Sequence, residues 1–192
     1  MKAVLAYRYA LFFAIATAGV AADLATKSWI FGWLGMPGDR NVFWLWQNRI
    51  GLQTSLNRGA LFGMAQGGVP VFVVLSLLAA VGILIWLFRG GAARDLMLAV
   101  ALACIMAGIL GNLYDRLGWP GLIDERGQLV HAVRDWILVM IFDRPWPNFN
   151  IADSMLVCGA ILLVWHAWRG EDDKKDPAKL AGVQAKSADD RG

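Results

Sequence analysis

Four long apolar runs constrain this chain more than anything else in it. The hydrocarbon core of a bilayer is about 30 Å thick and takes about 20 helical residues to cross. Runs of that order fall at about 9–33, 69–88, 95–113 and 150–168. Backbone N–H and C=O groups in lipid find no water, so each run reads as a helix bonded within itself. Pro70 stands in the first turn of the second run, where its missing N–H is not needed. The first run has Lys2 and Arg8 ahead of it and small residues at 20–22, which also describes a cleavable signal peptide. Asp23-Leu-Ala-Thr-Lys27 continues it at helical spacing, which favours a retained span.

Composition agrees with lipid as the solvent. The chain is 58% hydrophobic and 17% charged, whereas soluble domains are about half apolar and about a quarter charged. Several of the ten Trp lie near the ends of the runs, where indole favours the headgroup region. The net charge of +3 comes with no basic stripe interleaved with aromatics, so nucleic acid is not an expected partner. Cys104 and Cys158 sit inside apolar runs and make no CxxC or Cys/His pattern. His131 and His166 have no companions at ligand spacing. No metal or cofactor is expected.

The expected fold class is a mostly α integral membrane protein. It has four transmembrane helices and a small β-containing extracytoplasmic segment between the first two. In that segment 41–47 and 51–56 read as short strands, and an amphipathic surface patch is equally compatible. Residues 1–170 form one domain, and the charged stretch 171–192 reads as a disordered cytoplasmic tail. Four spans put both termini on one side, with segments 34–68 and 114–149 on the other. Lys and Arg divide almost evenly between the sides, but Arg89 and Arg94 lie in a short loop and favour the cytoplasm for the termini.

Placement of the polar residues carries the functional argument. Ionisable groups in or at the edge of spans are costly and are usually paired or functional. Here they collect at one face. Asp23 and Lys27 end the first helix; Asn112, Asp115 and Arg116 end the third; Asn150 and Asp153 open the fourth; Asn57 and Arg58 precede the second. Each has a bland reading: an i,i+4 pair for Asp23 and Lys27, a helix cap for Asn150 and Asp153. Asp124, Glu125 and Asp143 read as solvated loop acids. Two carboxyls brought together cannot both ionise cheaply, so one keeps a proton while the other acts as base. No Ser/His, Cys/His or HExxH arrangement competes.

The segments Asp23-Leu-Ala-Thr-Lys27, Asn57-Arg-Gly-Ala-Leu-Phe62, Gly111-Asn-Leu-Tyr-Asp-Arg116 and Phe149-Asn-Ile-Ala-Asp-Ser154 resemble, in order and position, the motifs of the lipoprotein signal peptidase (signal peptidase II) family. The resemblance implies an aspartic endopeptidase of the bacterial inner membrane that cuts prolipoproteins before a diacylglyceryl-modified cysteine. It implies Asp153 as one catalytic aspartate. Val133-Arg-Asp-Trp136 matches the context of the other, which gives Asp135. By the same matching Asn57, Gly59, Asn112, Arg116 and Asn150 line the site, and Asp23 and Lys27 brace it. The family's site lies near the extracytoplasmic face. The chain departs from the pattern in one place: 118–134 is long, and Arg134 replaces an apolar residue. Asp124, and more distantly Asp143, therefore compete with Asp135. Two other classes stay open. One is a small transporter or proton-relay protein, against which count the lack of an inverted repeat and the gathering of acids at one face. The other is a non-catalytic assembly partner for lipoproteins.

Overall fold

The computed structural model describes residues 2–38, 42–59 and 68–175, with side chains through Arg169. Its helices are α1 (Lys2–Leu34), α2 (Val69–Phe88), α3 (Leu96–Arg116) and α4 (Ile151–Lys175). All four are long and apolar enough to cross a bilayer. At 1.5 Å per residue, α1 is about 50 Å long, so it extends beyond a hydrocarbon layer or crosses it tilted. The helix α4 runs to Lys175, so the first five residues of the expected tail are helical. The remainder of the tail, and Ala60–Phe62 of the second motif, lie outside the described residues.

The helix α3 is the centre of the bundle. Of its most apolar stretch 72% is buried within the protein, against 11% for each of the other three. Those three turn large apolar side chains outward instead. Val71, Val74, Leu78 and Ile85 of α2 and Val157, Ile161 and Val164 of α4 are exposed. Contiguous apolar surface on this scale needs a nonaqueous solvent.

Close packing of α3 on α4 rests on small residues, as helix association in lipid requires. A Cβ on Gly108 would lie 2.4 Å from the Ala152 carbonyl oxygen. A Cβ on Gly159 would lie 2.8 Å from the Ala101 carbonyl oxygen and 2.6 Å from Ile105 Cγ1. Gly159→Ala should therefore force the helices apart and cost about 1–3 kcal/mol, read as a lowered thermal midpoint in detergent micelles.

At the end of the bundle where the termini lie, Asp95 caps α3 by accepting from Leu98 N at 2.9 Å. Arg8 donates to the carbonyls of Ala93 and Arg94, which ties α1 to the turn between α2 and α3. His166 of α4 reaches Asp95 at 3.3 Å.

At the other end both long loops contribute to one antiparallel sheet, in the order β1 (Phe43–Trp46), β2 (Ile50–Asn57), β3 (Val133–Ile141), β4 (Arg144–Pro145). The first two strands fall where the sequence marks them. The other two are an addition from the second loop: the run Trp136–Met140 does not alternate in polarity, and such a run cannot be told from a buried helical segment. The β2–β3 register sets Ser55 opposite Asp135 and Asn57 opposite Val133. A residue of the first loop is thereby laid beside an acid of the second, next to the helix ends.

Candidate active site

Asn150 and Asp153 begin the site. They form a reciprocal capping box at the start of α4. Asp153 N donates to Asn150 Oδ1 at 2.9 Å, and Asn150 N donates to Asp153 Oδ2 at 3.2 Å. The bland reading of this pair therefore holds, yet it leaves one oxygen and one amide group unspent. Asp153 Oδ1 accepts from Asn112 Nδ2 of α3 at 2.8 Å. Asn150 Nδ2 donates to Asp135 Oδ1 at 2.6 Å and to Asn112 Oδ1 at 3.2 Å. One wholly buried asparagine thus hydrogen-bonds both carboxylates, from β3 and α4, and the amide of a third element.

Asp135 is buried. Burial is the main influence pushing its carboxyl up, the negative charge of Asp153 adds to it, and the Asn150 hydrogen bond, the Lys27 charge and an Asn57 hydrogen bond pull the other way. The balance leaves Asp135 at about 7. An acid in that range keeps its proton near neutrality and still exchanges it, which is what general acid catalysis asks of a side chain.

Behind this pair lies a buried ionic layer. Asp23, Lys27 and Asp115 are each 0% exposed. Lys27 Nζ hydrogen-bonds Asn112 Oδ1 at 3.1 Å and makes ion-pair contacts with Asp23 Oδ2 at 2.7 Å and Asp115 Oδ2 at 3.0 Å. Asp23 Oδ1 accepts from Ala152 N at 2.9 Å, which holds the first turn of α4 against α1. The i,i+4 pair of the first helix is therefore a buried joint of three helices. Its contact with Asn112 fixes which way that amide faces, since the oxygen must point to the ammonium and the NH2 to Asp153. Asp115 is also held from β3 by Arg134.

A cavity of about 670 Å³ opens beside Asp153, and Asp135, buried, is not among the residues that line it. Asn57, Gly59, Asn112, Arg116 and Asp153 border it, as do Ser76 of α2, Leu156–Cys158 of α4 and Trp146–Phe149 of the second loop. Arg116 is half-buried with its guanidinium 5.3 Å from the Phe72 ring centroid. Val157 and Cys158 are exposed as well as lining, so the cavity opens sideways between α2 and α4. The sequence did not single out Ser76 or residues 146–148, whereas Phe149 opens the fourth motif. A lone serine in an otherwise apolar α2 was the available signal.

The competing acids lie elsewhere. Asp124 is a surface staple of the long loop. Its Oδ1 accepts from Arg126 N and Gln128 N, each at 2.9 Å, and backbone donation, led by Gln128, holds its carboxyl below the usual value. Asp143 sits in the β3–β4 turn at φ 60°, exposed, 3.9 Å from Arg49. His131 Nδ1 lies 3.0 Å from the Arg116 carbonyl oxygen, so it closes the end of α3.

A family described as signal peptidase (SPase) II has a model that matches residues 15–169. The chain belongs to the signal peptidase II family. A lipoprotein signal peptidase of Rhodopirellula baltica is 52% identical over 163 residues, covering 83% of this chain and 72% of that protein. One from Rhodococcus jostii is 39% identical over 160 residues, with 82% and 72% covered. A bacterial membrane enzyme solved by the in meso method at 2.3 Å has a TM-score of 0.73 at 27% identity, over 87% of this chain and 93% of that one. Signal peptidase II membership makes this chain an aspartic peptidase of a bacterial membrane that processes prolipoproteins. The transporter reading is not favoured.

Proposed function

We propose that Asp135 and Asp153 are the catalytic dyad, and that the peptidase cuts prolipoproteins carrying a diacylglyceryl group, immediately before the lipidated cysteine. The observation that carries the dyad is the Asn150 amide, which bonds the carboxylate of Asp135 and caps together with that of Asp153. Asp153 accepts from two N–H groups, a pattern suited to the ionised partner. Asp135, at about 7, holds the shared proton. A water between them loses a proton to Asp153 and attacks the scissile carbonyl. Asp135 hands its proton to the departing amine. No covalent intermediate forms.

Asn57, Gly59, Asn112 and Arg116 border the cavity and hold the substrate backbone there. Asp23 and Lys27 act from behind as braces. The lipid anchor of the substrate stays in the bilayer and enters through the gap between α2 and α4. Confinement to that geometry turns a bimolecular encounter into an effectively unimolecular one. The termini face the cytoplasm and the dyad faces outward, since the acids collect at the bundle end away from Lys2 and Arg8.

The test uses the full chain in lipid with one prolipoprotein in two forms, diacylglyceryl-modified and unmodified. The modified form is cleaved and leaves a new N-terminal lipidated cysteine. Equal cleavage of both forms, or a cut at another bond, sinks the substrate assignment.

A further inference from the structure

Arg134 immediately precedes Asp135 in β3, and it is 3% exposed. Burying a guanidinium is expensive unless it is paired and hydrogen-bonded, so the structure must give it a partner. That partner is Asp115 of α3. Arg134 Nε and Nη2 lie 2.9 and 2.8 Å from Asp115 Oδ1. The backbone N–H of Arg134 donates to Asp115 Oδ2 at 3.0 Å. Nη1 reaches Ser28 Oγ at 3.4 Å, and the guanidinium lies 6.0 Å from the Phe31 ring centroid. Arg134 therefore supplies two hydrogen bonds to Asp115, from its backbone N–H and Nε, and Nη2 and Lys27 Nζ add ion-pair contacts.

Two consequences follow from charge and connectivity. Without Arg134, Lys27 would face the two buried acids Asp23 and Asp115 alone. With it, the layer holds two acids and two bases, and Lys27 keeps its third donor for Asn112. Asn112 in turn orients Asp153. On the strand side, Arg134 is the residue next to Asp135, and its amide as well as its side chain is fastened to α3. We propose that Arg134 is a positioning residue for the dyad: it seats β3 on the end of α3 beside Asp135, and frees Lys27 to set the amide that faces Asp153. This rests on the reading of Asp135 and Asp153 as the dyad.

Removal of the cation also changes the field at Asp135. The charged groups around that carboxyl are Asp153 of α4, Lys27 of α1 and Arg116 of α3, with Asp23 and Asp115 behind Lys27. One fewer positive charge favours the protonated acid, so the pH–rate profile moves to higher pH.

The experiment compares Arg134→Met and Arg134→Lys in the full chain, in lipid, with the diacylglyceryl-modified substrate and rates normalised to folded enzyme. Arg134 does not border the cavity, so KM stays unchanged. For Arg134→Met, kcat falls about 10²-fold, the scale of a 1 Å misplacement, and the profile shifts upward. Arg134→Lys restores the position of the profile but only part of kcat, because an ammonium lacks the planar fork. For Arg134→Met, a kcat loss with an unmoved profile marks a merely structural role and overturns the proposal. If Arg134→Met does not fold, Arg134→Lys decides alone: reduced kcat at unchanged KM supports the proposal, and wild-type kcat overturns it. Asp135→Asn is run alongside. Normal turnover there breaks the dyad reading itself, whereas an inactive Asp135→Asn beside a wild-type Arg134→Met breaks only the role of Arg134.

Discussion

Asp135→Asn and Asp153→Asn should each lower turnover of a lipidated prolipoprotein by about 10³-fold or more, the scale expected when one member of an acid–base pair is lost. Asparagine keeps volume and shape but neither gives nor takes a proton. The two variants should part company in stability. Asp153→Asn keeps one acceptor where the carboxylate has two, so its NH2 faces either the Asn150 N–H or the Asn112 NH2, a loss of about 1–3 kcal/mol. Asp135→Asn removes an acid whose folded value, about 7, lies above its ordinary value of 3.8. Such a group favours the fold fully below its unfolded value, and that contribution is lost as pH rises through the folded value. The wild type should therefore lose stability between about pH 4 and pH 7, and the amide variant should not. At pH 8 Asp135→Asn should be the more stable protein, by an amount on the order of a few kcal/mol, and the gap should close at pH 4. Thermal midpoints across that range, measured beside the cleavage assay, check both halves. A fully active Asp135→Asn, or one less stable than wild type at pH 8, contradicts the account.

The second large effect is expected from Lys27→Met. The side chain is matched in length, but its ammonium holds Asp23, Asp115 and Asn112 together. Breaking a buried ion pair by removing one member costs about 3–5 kcal/mol, because a charge is left buried and uncompensated. Asp115 keeps Arg134, so the greater loss falls on Asp23, which retains only the Ala152 amide. The double variant Lys27→Met with Asp23→Asn should recover a good part of the stability. It should not recover activity, since Asn112 has lost the donor that orients it. Unfolding midpoints and cleavage rates of the single and double variants give the coupling directly. Equal destabilisation in the single and the double variant argues that Asp23 and Lys27 act independently.

The four helices were legible because apolar runs long enough to cross a bilayer have few other uses. The convergence of Asp23, Lys27, Asn112, Asn150 and Asp153 on one bundle end followed from the alternation of spans and needed no coordinates. The partnership of Arg134 with Asp115 was not legible: they stand 19 positions apart in sequence across the long loop, and nothing in local spacing reports a contact across a loop. Arg134 looked like a departure from a pattern, and its partner lay at a helix end already crowded with polar residues. The strand β3 was hidden for a different reason. With Val133, Arg134 and Asp135 all buried, both its faces are covered there, so the two-residue alternation that marks a half-solvated strand is missing. Asp124 looked like a rival because it too follows the third motif. Only its bonds to Arg126 and Gln128 tell a turn-maker from a reagent.

Pairing of β2 with β3 has a consequence for the newborn chain. The two strands come from loops on either side of α2 and α3, and β3 precedes α4, whose first turn carries Asp153. A ribosome that has released only three helices into the membrane has made Asp135 but not its counterpart or Asn150. On the proposed dyad, proteolytic competence therefore arrives only with α4, the last helix to be made, whose start carries Asn150 and Asp153.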